Sequence, residues 1–137
     1  MKDDLSISCK HELTEEDILD VLTTAIEGGI GYWCCLLNDD PDWIKARADW
    51  KLHHNNETPC YCDVAYQVLM SGKSVKLEDI EEDKIYELDM DKFKKGCSVY
   101  IEKTGHDIHC ALRDGAFDAE DADLLIQYAL FGECVFG

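Results

Sequence analysis

The chain has 137 residues, which is enough for one domain with a hydrophobic core and short for two. Its 30 acidic residues against 13 Lys and Arg give a net charge of −17, and a field of that sign repels nucleic acids, anionic membranes and phosphorylated ligands. No apolar run approaches the roughly 20 residues that span a bilayer, and the polar residues 1–4 lack the apolar stretch of a secretion signal. We therefore expect a cytoplasmic protein with no membrane partner and no direct nucleic-acid ligand.

Helical signals stand near both ends of the chain. Thr14 is a capping residue, acidic residues follow it, and apolar residues then recur at helical spacing until the glycine pair at 28–29, which predicts a first helix. Asp118 caps a second predicted helix, residues 119–131, whose apolar stripe ends at Gly132. Each end of the chain therefore supplies a helix with one apolar face.

The middle of the chain contains strand signals and ambiguous segments. Residues 74–79 and 84–88 alternate apolar and polar side chains, which predicts a β-hairpin. The apolar run at 30–37 fits a buried strand or a helix. A short helix is expected at 92–95, and residues 97–102 fit a strand or a continuation of that helix.

Two further segments have no unique assignment from their pattern. Residues 42–56 fit short helices or an irregular insert, and residues 108–112 fit a loop or a short strand. We predict a single α+β domain, residues 1–137, with a variable insert at about 38–62. In this domain a small antiparallel sheet of about two to four strands packs against the N- and C-terminal helices.

Eight cysteines and five histidines raise the question of a metal site. Without a secretion signal, the thiols are expected to be reduced. Cys60, Cys62, His109 and Cys110 are the soft ligands that we assign to a possible structural zinc ion, although the chain has no C-x2-C pair. The alternative is scattered thiols and solvent-exposed histidines, and no other cofactor is expected.

Motifs of common catalytic sites are missing from the sequence. There is no glycine-rich dinucleotide or phosphate loop, no H-E-x-x-H zinc motif and no nucleophile elbow. We therefore expect a binding protein rather than an enzyme.

The size of the negative charge favours a basic partner. A net charge of about 2–8 keeps a small domain soluble, so −17 favours docking against the basic surfaces of proteins that grip nucleic acids, with an even solubility coat as the alternative. Because aromatic side chains are common at interface cores, one of the tryptophans in the insert is expected to be accessible. The predicted partner contacts are Asp39, Asp40, Asp42, Trp43, Trp50, Glu78, Glu81, Glu82 and Asp83.

Several stretches carry a resemblance to a known family. They are residues 15–34, 85–88, 92–96, 122–133 and 135–137. Together they are similar to a family of small acidic proteins from phages, prophages and mobile elements of Gram-positive bacteria. The resemblance implies a counter-defence factor in the host cytoplasm, of the kind that includes anti-CRISPR proteins, which occlude nucleic-acid channels as DNA mimics or block assembly. It assigns no catalytic residues.

The first hypothesis is an inhibitor that binds a host defence protein or a nucleic-acid-binding protein. Two other functions remain open. A protein that sequesters a small signalling nucleotide, as an oligomer such as a homodimer, needs cations to hold the phosphates. The available cations away from the acidic runs are Lys45, Arg47, Lys51 and Arg113. A zinc-stapled interaction module is the third possibility, and it needs the cysteine and histidine set given above.

Overall fold

The computed structural model describes residues 12–137, which contain six α-helices and a three-stranded antiparallel sheet. The elements in chain order are α1 (Glu15–Thr24), a π-helical turn (Ala25–Gly29), β1 (Cys34–Leu36), α2 (Pro41–Leu52), α3 (Tyr61–Met70), β2 (Val75–Asp79), β3 (Ile85–Leu88), α4 (Met90–Thr104), α5 (Ile108–Arg113) and α6 (Ala119–Phe131). The predicted α+β class is confirmed. None of the helices in this part of the chain has the length and apolar character that crossing a membrane requires.

The sheet has the strand order β1-β2-β3, and β2 is antiparallel to both neighbours. The predicted hairpin is confirmed as β2 and β3, and the ambiguous apolar run supplies β1. Val75 and Leu77 of β2 and Leu88 of β3 are buried in the core. Because side chains alternate along a strand, Lys76 and Glu78 lie on the outer face of the sheet.

Helix α4 is continuous through Gly96, so the helical alternative for residues 97–102 is the one observed. A Cβ atom on Gly96 would lie 2.6 Å from the Cβ of Ala129 and 2.7 Å from the carbonyl oxygen of Leu125. The missing side chain therefore allows α4 and α6 to pack closely. This packing offsets the cost of about 1 kcal/mol that glycine carries inside a helix.

The first helix was expected to continue regularly to the glycine pair, but its last turn, Ala25–Gly29, is π-helical. Gly29 is buried in this turn, and a Cβ atom on it would lie 2.9 Å from the carbonyl oxygen of Ala119. The glycine thus lets the turn contact the start of α6. Wide helical turns of this kind recur at functional sites, and this one places Tyr32 and Trp33 beside α6.

The predicted insert, residues 38–62, consists of a loop, α2, a second loop and the first residues of α3. The side chain of Asp40 caps α2 by accepting a hydrogen bond from the backbone nitrogen of Asp42. Trp43 and Ala46 of α2 belong to the buried core. The segment is therefore helical for much of its length and packs into the core, rather than forming an irregular surface insert.

The prediction of a loop or short strand at 108–112 is wrong, because these residues lie in helix α5. Asp107 caps this helix, and its side chain accepts a hydrogen bond from the backbone nitrogen of Cys110 at 2.9 Å. The cap starts a helix in a segment whose apolar residues alternate as they do in a strand.

Asp17 of α1 is fully buried and connects α1 to α5. Its Oδ2 accepts hydrogen bonds from Nδ1 of His109 at 2.7 Å and from the backbone nitrogen of Thr14 at 3.0 Å. Its Oδ1 lies 3.1 Å from Nη2 of Arg113. Burial raises the pKa of this carboxyl group, but the hydrogen bonds from His109 and Thr14 outweigh burial, so the pKa lies below its ordinary value of 3.8.

We expect acid to weaken the domain through Asp17. A carboxyl group whose pKa is lower in the folded chain contributes stability above the unfolded value of 3.8, and loses it as the pH falls through the folded pKa. Asp17→Asn should therefore lower the free energy of unfolding by about 1–3 kcal/mol near pH 7 and by clearly less near pH 2. Urea unfolding at both pH values measures the difference, and equal losses at both would contradict this role.

Candidate functional site

The segment from β2 to the start of α4 holds dense negative charge. Residues 78–91 contain eight acidic residues and a single basic one, Lys84. Glu81, Glu82 and Asp83, which we call the acidic loop, connect β2 to β3 and are exposed. No ion pair in the described part of the chain includes them. Their charge is therefore available to a partner.

Asp79 holds the acidic loop in shape. It is buried, and its Oδ1 accepts hydrogen bonds from the backbone nitrogens of Glu81 at 2.8 Å and Glu82 at 3.2 Å. Its Oδ2 accepts a third hydrogen bond from the hydroxyl group of Tyr86 at 3.2 Å. Asp83 has a φ of 49°, which turns the chain back into β3. The inward carboxylate of Asp79 thus leaves the following acidic side chains to project into solvent.

Two exposed apolar side chains flank the acidic loop. Ile80 is 55% exposed and Ile85 is 54% exposed. On the outer face of the sheet, Ile85 lies opposite Glu78, which in turn lies opposite the exposed Cys35. On this face the carboxylate of Glu78 therefore lies between the exposed side chains of Cys35 and Ile85.

Other acidic residues of the predicted contact set are engaged within the protein. Nζ of Lys76 lies 3.3 Å from Oδ2 of Asp40 and 3.1 Å from Oδ2 of Asp42. Burial lowers the pKa of Lys76, but the two carboxylates outweigh burial and raise it. Asp39 is exposed in the same loop. Asp40 and Asp42 therefore stabilise the start of α2, and Lys76 already balances part of their charge.

Trp43 is corrected from a partner contact to a core residue. It is only 3% exposed, because the apolar face of α2 packs on α3, and its ring meets Tyr61 edge-on at 5.8 Å. Trp50 is half-buried and stacks on His54, with ring centres 3.8 Å apart. Of the two tryptophans, Trp50 is the one that solvent and a partner can reach.

A cleft of about 270 Å³ opens beside the acidic loop. Its lining consists of Tyr32, Trp33, Asp79, Glu81, Phe136 and Gly137, and we call it the aromatic cleft. Trp33 stacks on Phe136 with ring centres 4.6 Å apart, and Tyr32 is 53% exposed at the rim. The cleft and the acidic loop share Glu81, so they form one continuous surface.

A buried hydrogen-bond network shapes the aromatic cleft. The carboxylate of Asp123 accepts hydrogen bonds from the hydroxyl group of Tyr32 at 2.6 Å, Nε1 of Trp33 at 2.8 Å and Nε2 of Gln127 at 2.9 Å. Oε1 of Gln127 accepts from the backbone nitrogen of Phe136 at 2.8 Å. Burial, followed by the hydrogen bond to Asp123, raises the pKa of Tyr32 to about 12. Tyr32 is therefore a neutral hydrogen-bond donor near pH 7.

The chemistry of the aromatic cleft suits a cation. Aromatic faces attract guanidinium and ammonium groups, and carboxylates of Asp79 and Glu81 add negative potential. Of the lining residues, Glu81 alone was among the predicted contacts. The cleft forms where Tyr32 and Trp33 meet Asp123 of α6, and no pattern in the sequence predicted this contact.

Comparison with protein-family models gave no match, and no curated protein or solved structure is significantly similar to the chain. The resemblance to phage and mobile-element proteins therefore stays a prediction.

A second concave surface runs along α2. This groove measures about 580 Å³, and its lining consists of Asn38, Trp43, Ile44, Arg47, Ala48, Lys51, Leu52 and Asn56. Arg47 and Lys51 lie one helical turn apart on it. The other two predicted phosphate-holding cations are engaged: Arg113 pairs with carboxylates of α1 and Lys45 pairs with Asp49.

The predicted zinc ligands do not form one cluster. Within residues 12–137, the group of potential ligand atoms that lie within 4.8 Å of one another belongs to Cys60, Cys62 and Asp63. His109 and Cys110 instead lie on α5, where His109 donates a hydrogen bond to Asp17. Two of the predicted ligands, Cys60 and Cys62, therefore lie together, and the third potential ligand beside them is Asp63 rather than His109 or Cys110.

Proposed function

We propose that this protein is a non-catalytic inhibitor that docks on a basic surface of a nucleic-acid-handling host protein, as a counter-defence factor of the anti-CRISPR type. The observation that carries the proposal is the position of the exposed acidic loop between exposed isoleucines and the aromatic cleft. Interfaces that bind one partner specifically combine aromatic anchors with charged groups that match the partner's charge.

Docking would use the groups that normally hold phosphates. Lysine and arginine side chains of the partner would pair with Glu81, Glu82 and Asp83, and one arginine would enter the aromatic cleft against Tyr32. Long-range attraction between the two surfaces would speed association at low ionic strength. With its cationic surface covered, the partner would no longer hold a nucleic acid.

Many other carboxylates have a structural role, which favours the acidic loop as the docking site. Asp118 caps α6 by accepting a hydrogen bond from the backbone nitrogen of Asp121, and Asp89 caps α4 by accepting one from that of Lys92. Asp17 and Asp123 are buried. Such groups already have partners, whereas the acidic loop is exposed and no ion pair within residues 12–137 includes it.

We expect the protein to protect target DNA from cleavage by a purified RNA-guided nuclease of a Gram-positive host, and the acidic loop to carry the effect. Replacing the loop by Glu81→Gln, Glu82→Gln and Asp83→Asn removes three charges and should raise the inhibitory concentration about a hundredfold. Asparagine suits the third position because it tolerates a positive φ.

The matched control removes three exposed charges elsewhere, by Glu57→Gln, Glu102→Gln and Glu120→Gln. This control has the same net charge as the loop variant and should inhibit like the natural sequence. Equal weakening by both variants would show that only total charge matters. A lack of inhibition across a panel of such nucleases would reject the counter-defence proposal.

The α2 groove supports a second candidate function, the sequestration of a signalling nucleotide. Arg47 and Lys51 would hold the phosphates, and the exposed Ile44 and Leu52 would contact the base. Titration calorimetry with cyclic dinucleotides separates the two functions. Saturable heat that disappears in an Arg47→Ala, Lys51→Ala variant would favour sequestration, and its absence would leave the docking proposal alone.

A further inference from the structure

We propose that Cys60, Cys62 and Asp63 bind a zinc ion at the start of α3, with a water molecule as the fourth ligand. Two thiol sulfurs and one carboxylate oxygen lie within 4.8 Å of one another there. Zinc takes tetrahedral sets of sulfur, nitrogen and oxygen ligands, and a site with three protein ligands and one water is a common form. This site does not depend on the docking function.

The geometry requires little movement to admit the ion. Zn–S bonds of about 2.3 Å in a tetrahedron place two sulfurs about 3.8 Å apart. Oδ2 of Asp63 already lies 3.2 Å from Sγ of Cys60, and the same oxygen accepts a hydrogen bond from the backbone nitrogen of Cys60 at 3.1 Å. The helical cap therefore holds the third ligand in place before any metal arrives.

The proposed zinc ligands differ in burial, and this difference gives them different roles. Cys62 is 8% exposed, so its sulfur forms the inner wall of the site, whereas Cys60 is exposed and leaves a path for the ion and for the water ligand. A chain segment fixed at both its inner and outer side would be harder to open. Zinc would thereby brace the first turn of α3, from its N-cap Cys60 to Asp63.

Zinc uptake must release protons. Zinc binds the thiolate form of cysteine, whereas Sγ of Cys60 here carries the proton that it donates to Oδ2 of Asp63. Binding of Zn²⁺ transfers the protons of both thiols to the buffer and leaves a site of net charge −1, from two thiolates, one carboxylate and the dication. The apparent affinity should therefore rise with pH, by up to about a hundredfold per pH unit for two protons released.

The test uses the full chain, reduced and stripped of metal. Titration with Co²⁺, a spectroscopic substitute for zinc, should give one equivalent bound and a thiolate-to-cobalt charge-transfer band, and competition with a chromophoric chelator gives the zinc affinity. Cys60→Ser should weaken zinc binding at least about a hundredfold, and Asp63→Asn at least about tenfold. Both residues lie at the surface or partly so, which makes these variants better probes than changes at the buried Cys62.

Control variants decide whether the site is the right one. Cys35→Ser and Cys134→Ser remove exposed thiols elsewhere in the described chain, and Cys9→Ser removes a thiol outside it. All three should bind zinc like the natural sequence. The proposal fails if the charge-transfer band is absent, if Cys60→Ser leaves the zinc affinity unchanged, or if a control variant lowers it as much as Cys60→Ser does.

Discussion

Gly96→Leu is expected to lower the free energy of unfolding by about 3 kcal/mol or more, and to leave the protein largely unfolded if its natural margin is small. Any side chain at this position meets the backbone of α6, since a Cβ atom would lie 2.7 Å from the carbonyl oxygen of Leu125 and 2.9 Å from the Cα of Ala129. Backbone atoms cannot move aside as flexible side chains do. The helices α4 and α6 must therefore separate, which opens the core between them.

Urea unfolding followed by circular dichroism measures this loss. Gly31→Ala is the matched control, because no atom lies within 4 Å of a Cβ placed there and its φ is not in the left-handed range. It should change the free energy of unfolding by less than about 0.5 kcal/mol. If Gly96→Leu were as mild as the control, the close approach of α4 and α6 would be contradicted.

Asp123→Ala is expected to cost about 2–4 kcal/mol and to disorder the aromatic cleft. Three donors lose their acceptor at once, namely Tyr32, Trp33 and Gln127, and the last two are buried at 3% and 0% exposure. Buried donors without a partner cost about 1–3 kcal/mol each. Tyr32 can recover part of its loss from water, and Nε2 of Gln127 keeps its hydrogen bond to the carbonyl oxygen of Phe136 at 3.3 Å. The stack of Trp33 on Phe136 should loosen at the same time.

Two measurements check the effect of Asp123→Ala. Urea unfolding gives the free energy, and a red shift of tryptophan fluorescence reports water reaching Trp33. Glu120→Ala, an exposed change in the first turn of the same helix, is the control and should leave both nearly unchanged. A loss no larger than that of the control would mean that the network does not hold the cleft together.

Local chemistry made several elements predictable. Thr14 and Asp118 each cap a helix through the backbone nitrogen three residues on, and glycine ends the second of these helices with a φ of 76°. The alternation of apolar and polar side chains likewise predicted strands β2 and β3. In each case the residues that decide the structure are neighbours in sequence.

The remaining features depend on contacts between distant residues. Gly96 is a poor helix former on its own, and only its contact with α6 explains why α4 continues through it. The sequence of α2 does not decide whether Trp43 faces the solvent or the core. Its packing on α3 places it in the core. The aromatic cleft joins Tyr32 to Asp123 across 91 positions, so no local pattern could have placed them together.

The acidic loop was predictable from the sequence in part only. Its charge was evident in the sequence, but its availability was not, because the same reasoning included Asp40 and Asp42, which Lys76 partly neutralises. Asp79 was overlooked although it stands in the same acidic run. Its three hydrogen bonds to the loop and to Tyr86 depend on a turn geometry that sequence alone does not reveal.

The most direct test of docking through the acidic loop is the affinity of the protein for immobilised RNA-guided nucleases of Gram-positive hosts. This affinity is measured at low and at high salt for the natural sequence, the loop variant and the control. We predict a dissociation constant that rises about a hundredfold in the loop variant, equivalent to about 2.7 kcal/mol, and by less than about threefold in the control. The affinity of the natural sequence should fall at least about tenfold between low and high salt. An unchanged affinity in the loop variant, or binding that salt does not weaken, would contradict docking through the charge of this loop.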